Sequence, residues 1–299
     1  MGLRLQRYTC PMTIQTTTSV QASTGLEVRP LAGALGAEID GVDLSQPLST
    51  ALAAQIRDVL LKHLVIFFRG QALDADQYLR FAQSMGTPIE YPFVKGLPSH
   101  PQIIEVKKLE HERSNFGGVW HSDTAYLDEP PMGSMLLARE IPPFGGDTLF
   151  ANQYLAFEQL SLGMQRMLEG MHAVFSSDKA DVSKTREDRL KSDGRAEARQ
   201  AYSVEHPVVR THPETGRKAL YVNTAHTARF VGWTEEESAP LLNWLYQHQV
   251  RPEFTCRFVW QVGSIAFWDN RCAQHNPVND YHGYRRLMHR ITLAGDRPK

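Results

Sequence analysis

The chain has 299 residues, 42% hydrophobic and 22% charged, with Lys+Arg 32 against Asp+Glu 33 and a formal net charge of -1. That composition is globular and excludes disordered, collagen-like and coiled-coil classes. The near-zero charge provides no global field to hold a nucleic-acid backbone or an anionic membrane, and no apolar run approaches the roughly 18 residues of a membrane helix.

Residues 1–25 mix Arg4 and Arg7 with Thr and Gln and lack the apolar core of a signal peptide. They read as a flexible leader, with Met12 as an alternative start. Gln6 stands where a myristoylation signal needs Ser or Thr, so Met1-Gly2 carries no lipid reading. From Leu26 the chain reads as a single domain to residue 299. Leu26 to Leu31 alternates like a strand, and Gly33, Gly36 and Gly41 mark a turn-rich loop around Ala37 to Asp40. Leu52, Ile56, Val59 and Leu60 give a helix after the capping candidates Ser49 and Thr50. Leu64 to Phe68 is a buried strand, and a second helix starts at Asp74 with Gln77 in capping-box spacing and stops before Gly86.

Short strands follow over Gln102 to Val106, Ser134 to Ala138 and Thr148 to Phe150, then helices near Asn152 to Leu160 and Leu162 to Gly170. The composition turns sharply polar between Asp178 and Ala201, which places an inserted polar lid at about 176–204. Pro207 to Thr211 and Ala219 to Asn223 flank a turn at His212 to Arg217. Thr234 and Glu237 cap a helix running to about His248, and Phe254 to Trp260 and Ile265 to Trp268 are strands. The expected class is α+β, a sandwich or jelly roll with helices packed outside.

Cys10, Cys256 and Cys272 form no C-x-x-C and cannot all pair, which excludes a disulfide framework or thiolate zinc cage and fits a reducing, cytoplasmic setting. Any metal must use imidazole and carboxylate, which points to iron, manganese or a catalytic zinc. Of the twelve histidines, His63 ends a helix, and His100, His111, His172 and His248 lie at loops and helix ends without acidic partners. His121 and Asp123 differ. On an extended strand, residues i and i+2 share a face, so this pair can meet one cation. His275, beyond the strand Ile265 to Trp268, would complete a 2-His-1-carboxylate triad with positions open for substrate and dioxygen.

Trp120-His-Ser-Asp123, Gly145-Gly-Asp-Thr148, Trp268-Asp-Asn-Arg271 with His275, and Arg285-Arg-Leu-Met-His-Arg290 stand in register over nearly the whole chain. In order and spacing they resemble the iron(II)- and 2-oxoglutarate-dependent taurine dioxygenase family, which includes phenoxyacetate dioxygenases and alkylsulfatases. The resemblance implies a double-stranded β-helix (jelly roll) core. It makes His121, Asp123 and His275 the Fe(II) ligands, and pairs Thr148 with Arg286 on the distal carboxylate of 2-oxoglutarate. A guanidinium can grip a carboxylate with two parallel hydrogen bonds, which suits Arg286 to that role. The reaction so implied is oxidative decarboxylation of 2-oxoglutarate by O2 to succinate and CO2, coupled to hydroxylation of a substrate C–H bond. Hydroxylation beside a sulfonate, sulfate ester or aryloxy oxygen would fragment the product.

Arg290 matches the family arginine that holds the substrate anion, whereas Tyr91 and Gly117 replace a histidine and an asparagine of the taurine site. A lost donor at a sulfonate costs on the order of 1 to 3 kcal/mol, so taurine itself is disfavoured. Gly117 could open room for an alkyl or aryl group. His226, Tyr126, Phe230 and Phe93 are further candidates for the pocket wall. The expected partner is a small anionic molecule, with no nucleic acid and no membrane, and the family suggests a homo-oligomer, dimer or tetramer. Two other readings are a non-redox, cupin-like anion-binding protein and a zinc hydrolase using the same triad.

Overall fold

The computed structural model describes residues 26–92, 94–115, 117–179 and 202–299. Most of the polar insert expected over 176–204 therefore lies outside the described residues, as do the leader and Phe93. Strands β1 (Glu27–Pro30), β2 (Ala37–Asp40), β3 (Val65–Phe68), β4 (Pro88–Ile89), β5 (Ile104–Lys108), β6 (Gly133–Glu140), β14 (Ile265–Asp269) and β16 (Arg286–Leu293) build one eight-stranded sheet. Its order is β1-β2-β3-β14-β6-β16-β4, with β5 also on β16; β2 and β3 run parallel and the other pairs antiparallel. A second sheet joins β13 (Thr255–Phe258), β7 (Thr148–Asn152) and β15 (Ala273–Pro277).

Both faces of the central strands β3, β6 and β14 are largely buried, so these are near-continuous apolar runs in which residue parity assigns each side chain to a layer. Ile66, Phe68, Met135, Leu137, Ile265, Phe267, Ile291 and Leu293 pack under helices α1 (Thr50–His63) and α2 (Ala75–Met85), beside Ile56, Leu60, Tyr78 and Phe81. Val65, Phe67, Leu136, Ala138, Ala266, Trp268 and Met288 face the other way, against Phe150, Cys256, Phe258 and Ala273 of the small sheet. Phe67 stacks on Phe258 at 3.9 Å between ring centroids, tying the two sheets together. Polar side chains that project into this second layer form the candidate site.

The helices begin where the caps stand in the sequence. Ser49 accepts from the Leu52 N–H, and Asp74 with Gln77 and Thr234 with Glu237 close complete capping boxes. The last starts α5 (Glu235–His248), which packs with α3 (Gln153–Glu158), α4 (Leu162–Glu169), β8 (His172–Ser176), β9 (Ser203–Pro207), β10 (Val209–Thr211), β11 (Lys218–Leu220) and β12 (Thr227–Phe230) around a third core. β8 and β9 pair from His172↔Pro207 to Ser176↔Ser203, so the chain enters and leaves the polar insert at neighbouring points. No described helix is long and apolar enough to cross a membrane.

Several local expectations change. Ala37 to Asp40 is a strand rather than a loop, because Ala37 and Ile39 turn inward and pair with β1. Leu64 ends α1 in left-handed backbone (φ 65) instead of opening β3; its buried side chain holds it there, and its carbonyl accepts from the Asp269 N–H. β5 begins two residues late, and the strand after Phe254 is shortened by a 3-10 turn at Pro252–Phe254. His100 does have an acidic partner, Asp76, at 2.8 Å.

Two further histidines make the fold acid-sensitive. Burial, aided by Arg210, lowers the His206 pKa to about 4, and burial beside Arg139 does the same to His289. The unfolded chain takes protons near pH 6.5 and the fold does not, so stability is lost as pH falls from about 6.5 toward 4. His206 is fully buried and should contribute about 2 kcal/mol of destabilisation between pH 7 and pH 5. Thermal melts across that range should show a falling Tm whose slope flattens in His206→Gln. An unchanged slope in the variant would refute this assignment.

Candidate active site

His121 and His275 meet through their backbones. Each N–H donates to the other's carbonyl, at 3.1 and 2.9 Å, in an isolated antiparallel bridge that sets the two imidazoles 4.1 Å apart between centroids. β15 supplies His275, whose neighbour on β7 is Phe150, while Thr148 lies opposite Pro277 on the same inner face. Asp123 is not on a strand. It stands in a turn followed by Thr124 at φ 41, a strained backbone for a β-branched residue, and the turn rather than strand pleat aims the carboxylate at the histidines.

The motif Trp268-Asp-Asn-Arg271 holds that turn. The Asn270 side-chain carbonyl accepts from the Asp123 N–H (3.3 Å) and the Trp268 indole (3.0 Å), and its backbone carbonyl accepts from the Ser122 hydroxyl at 2.7 Å. Ser134 on β6 donates to Asp123 Oδ2 at 2.7 Å, and Oδ1 faces the two histidines and the Arg290 guanidinium. Oδ1 lies 3.6 Å from His121 Nε2 and 3.8 Å from His275 Nε2. His121 Nδ1 donates to the Val119 carbonyl at 2.7 Å, which selects the tautomer with Nε2 unprotonated and facing the carboxylate.

Charge follows the same geometry. Burial alone would raise the Asp123 pKa, but Arg290, His275 and His121 outweigh it and hold the carboxylate well below its usual range. Burial and the neighbouring His121 keep His275 neutral. An ionised carboxylate and a neutral imidazole are the forms that bind a divalent metal, so these three residues could hold one. A second cluster, His212, Asp269 and Cys272, is closed to metal. Asp269 is gripped by Nε and Nη2 of Arg271, at 2.8 and 2.6 Å. His212 Nδ1 accepts from the Glu214 and Thr215 N–H groups, so its Nε2 carries the proton shared with Asp269.

Next to the triad, the described cavity is lined by Val106, Leu136, Thr148, Phe150, Trp260, Trp268, Pro277, Arg286 and Arg290. Arg286 is 5% exposed, stands over the Trp260 ring, and has Nε and Nη2 buried without a hydrogen-bond partner. Buried guanidinium nitrogens left bare are costly, and a carboxylate would satisfy them. Thr148 Oγ1 accepts from the Trp260 indole at 3.0 Å. A distal carboxylate therefore fits between Arg286 and Thr148.

Arg290 turns toward the triad's carboxylate: its Nη2 lies 3.0 Å from Asp123 Oδ1, and the guanidinium stands over the Tyr91 ring at 5.2 Å. His226 packs edge-on to His121 and Tyr126. Phe230 is fully buried in the third core, away from the cavity lining. Gly117 (φ +74) lies against the His121 ring, where an added Cβ would stand 2.9 Å from Cε1 and 3.3 Å from Nε2. Ser134 and Trp260 carry no spacing signal in the sequence, and Asn270 stands in the Trp268-Asp-Asn-Arg271 motif without a role readable from it.

The chain is similar to several known proteins. The family described as "Taurine catabolism dioxygenase TauD, TfdA family" matches residues 27–292. An alkylsulfatase from Acinetobacter baylyi is 38% identical over 94% of this chain and 89% of its own. An alpha-ketoglutarate-dependent sulfate ester dioxygenase from Pseudomonas putida is 35% identical over 91% of each. The crystal structure of a taurine dioxygenase from Burkholderia xenovorans superposes with a TM-score of 0.77 at 36% identity, covering 91% of this chain and 92% of that one. The structure of AAD-2 with Mn(II) and N-oxalylglycine does so at 0.74 and 26%, covering 92% and 99%.

The close approach at Gly117 yields a test. Gly117→Ala combines a strained backbone with a methyl group on His121, and should weaken Mn(II) binding on the order of 10- to 100-fold by calorimetry while the far-ultraviolet dichroism stays native. Unchanged affinity would show that His121 tolerates displacement or does not bind the metal.

Proposed function

We propose, from the premise that this chain belongs to the taurine catabolism dioxygenase TauD, TfdA family, that it is an Fe(II)- and 2-oxoglutarate-dependent dioxygenase of small organic anions, with alkyl sulfates as the first substrate class. The carrying observation is the joint presence of the buried His121, Asp123 and His275 and the bare Arg286 guanidinium beside Thr148. The alkylsulfatase and sulfate ester dioxygenase relatives, at 38% and 35% identity, favour the sulfate ester within that class. The same reading takes 26–299 as one catalytic domain with a jelly-roll core, formed by the large sheet and β13-β7-β15. Buried free thiols at Cys256 and Cys272 suit a reducing, cytoplasmic compartment.

When bound, Fe(II) with 2-oxoglutarate and O2 supplies the oxidising power for C–H hydroxylation, with succinate and CO2 as co-products. The chain's own residues do the rest. His121, Asp123 and His275 would hold the metal as a 2-His-1-carboxylate set. Arg286 and Thr148 would hold the far carboxylate of the cosubstrate and so orient it in the cavity. Arg290, in reach of the Asp123 oxygen, is the cation that meets a substrate anion, and Tyr91 and His226 border its approach. The apolar walls Leu136, Phe150 and Trp268 keep water from the reacting carbon. Hydroxylation at the carbon bearing a sulfate ester leaves a hemiacetal-like product that releases sulfate and an aldehyde without a further catalytic residue.

Succinate release should be measured with Fe(II), 2-oxoglutarate and a panel of alkyl sulfates, sulfonates, taurine and aryloxyalkanoates. Alkyl sulfates should give the highest kcat/KM, with one sulfate released per succinate, and taurine should be far slower. Arg286→Gln should raise the KM for 2-oxoglutarate about 10- to 100-fold, the worth of a lost charged hydrogen-bond pair. Zinc-supported sulfate release without oxygen consumption would overturn the dioxygenase reading, and binding of the anions without turnover would favour a cupin-like binding protein.

A further inference from the structure

A second buried cation lies one strand from Arg286. In the antiparallel pairing of β5 with β16, Lys108 stands opposite Arg286, on the same side of β5 as Val106, which lines the cavity. Lys108 is 2% exposed, its Nζ has no hydrogen-bond partner, and it makes no ion pair among the described residues. What it does touch is the ring of Tyr281, with Nζ 4.6 Å from the centroid.

Tyr281 connects the two cations. It is 1% exposed, and its hydroxyl stands against the Arg286 guanidinium. Gly146 makes the packing possible: a Cβ there would meet Tyr281 Cδ1 at 3.2 Å and Arg286 Cδ at 3.4 Å. Lys108, the Tyr281 ring and the Arg286 side chain thus lie next to one another in turn, ending at the unpartnered Nε and Nη2 of the guanidinium. Like charges opposite each other on paired strands destabilise a sheet, and an uncompensated buried ammonium is costly. A methionine would fill the same volume at lower cost, so packing alone does not explain the lysine.

We propose that Lys108 is a positioning residue for the cosubstrate anchor: its ammonium seats the Tyr281 ring, the ring holds the Arg286 guanidinium, and its charge adds to the field that draws in the distal carboxylate of a 2-oxo dicarboxylate. This rests on the reading of Arg286 as the partner of that carboxylate. The second cation is what makes the position unfavourable until an anion arrives.

The test compares Lys108→Met, Lys108→Arg and Tyr281→Phe in the full chain loaded with Mn(II), with 2-oxoglutarate binding measured by calorimetry, Tm by scanning, and KM and kcat by succinate release. Lys108→Met should melt at or above the wild-type temperature yet bind 2-oxoglutarate about 10-fold more weakly, with KM raised and kcat retained. Lys108→Arg should recover most of the affinity, because a guanidinium also sits over an aromatic face. Tyr281→Phe keeps the ring and loses the hydroxyl, and should fall between. Lys108→Gln replaces the Met variant if that protein does not accumulate. Affinity within twofold of wild type in the Met or Gln variant, or a loss that tracks a fall in Tm, would overturn the assignment. Arg286→Gln separates the two claims: if it also binds like wild type, the anchor itself is misread; if it alone loses binding, only the role of Lys108 fails.

Discussion

A carboxylate buried to 2% exposure, Asp123, sets the terms for everything around it. A bare carboxylate at that depth would protonate or expel itself toward water. It stays ionised because Arg290, Ser134 and two imidazoles converge on it, and those groups come from β16, β6, β15 and the His121 bridge. The sheets must therefore hold their register to within one residue. A slip by one on β16 would send Arg290 into the α1 and α2 layer, where Ile291 now sits.

The strands convert this demand into simple parity. In the large sheet, residues of one parity feed a mainly apolar layer under the helices, interrupted by the Arg139–His289 pair, while those of the other make both core and chemistry: Leu136 and Ala138 pack, and Ser134 holds the carboxylate. On β16 the same alternation places Met288 in the core between Arg286 and Arg290. Site and core are thus one layer. Stability and pre-organisation come from the same contacts, and the strain stored at Thr124 is carried by a scaffold that is rigid for other reasons.

Where local chemistry decides an element, the sequence is readable. Ser49, Asp74 with Gln77, and Thr234 with Glu237 mark helix starts through their own side-chain bonds, and the His212 to Arg217 turn closes its hairpin as expected. His121, Asp123 and His275 could be named because ligand chemistry restricts residue types. Ala37 to Asp40 and the late start of β5 were not legible, since partner strands far along the chain decide them. The turn at Asp123 defeats a strand-period argument for the opposite reason: i and i+2 converge through Asn270, almost 150 residues away, rather than through pleat geometry. Lys108 and Tyr281 belong to the same class, visible only once β5 and β16 are paired.

The indole of Trp260 donates to Thr148 Oγ1, and this small contact has a selective consequence. With one lone pair occupied, the hydroxyl has its own hydrogen left to give, and the neighbouring Arg286 nitrogens have nothing but hydrogens to give. The socket thus speaks with one polarity. A 2-oxo acid ending in a carboxamide would keep one accepting oxygen but turn its NH2 against buried donors, and one ending in an ammonium group would offer donors alone. Discrimination between a dicarboxylate and its amide or amine counterparts then follows from hydrogen-bond direction rather than from size, a kind of rejection that volume-filling mutations cannot imitate.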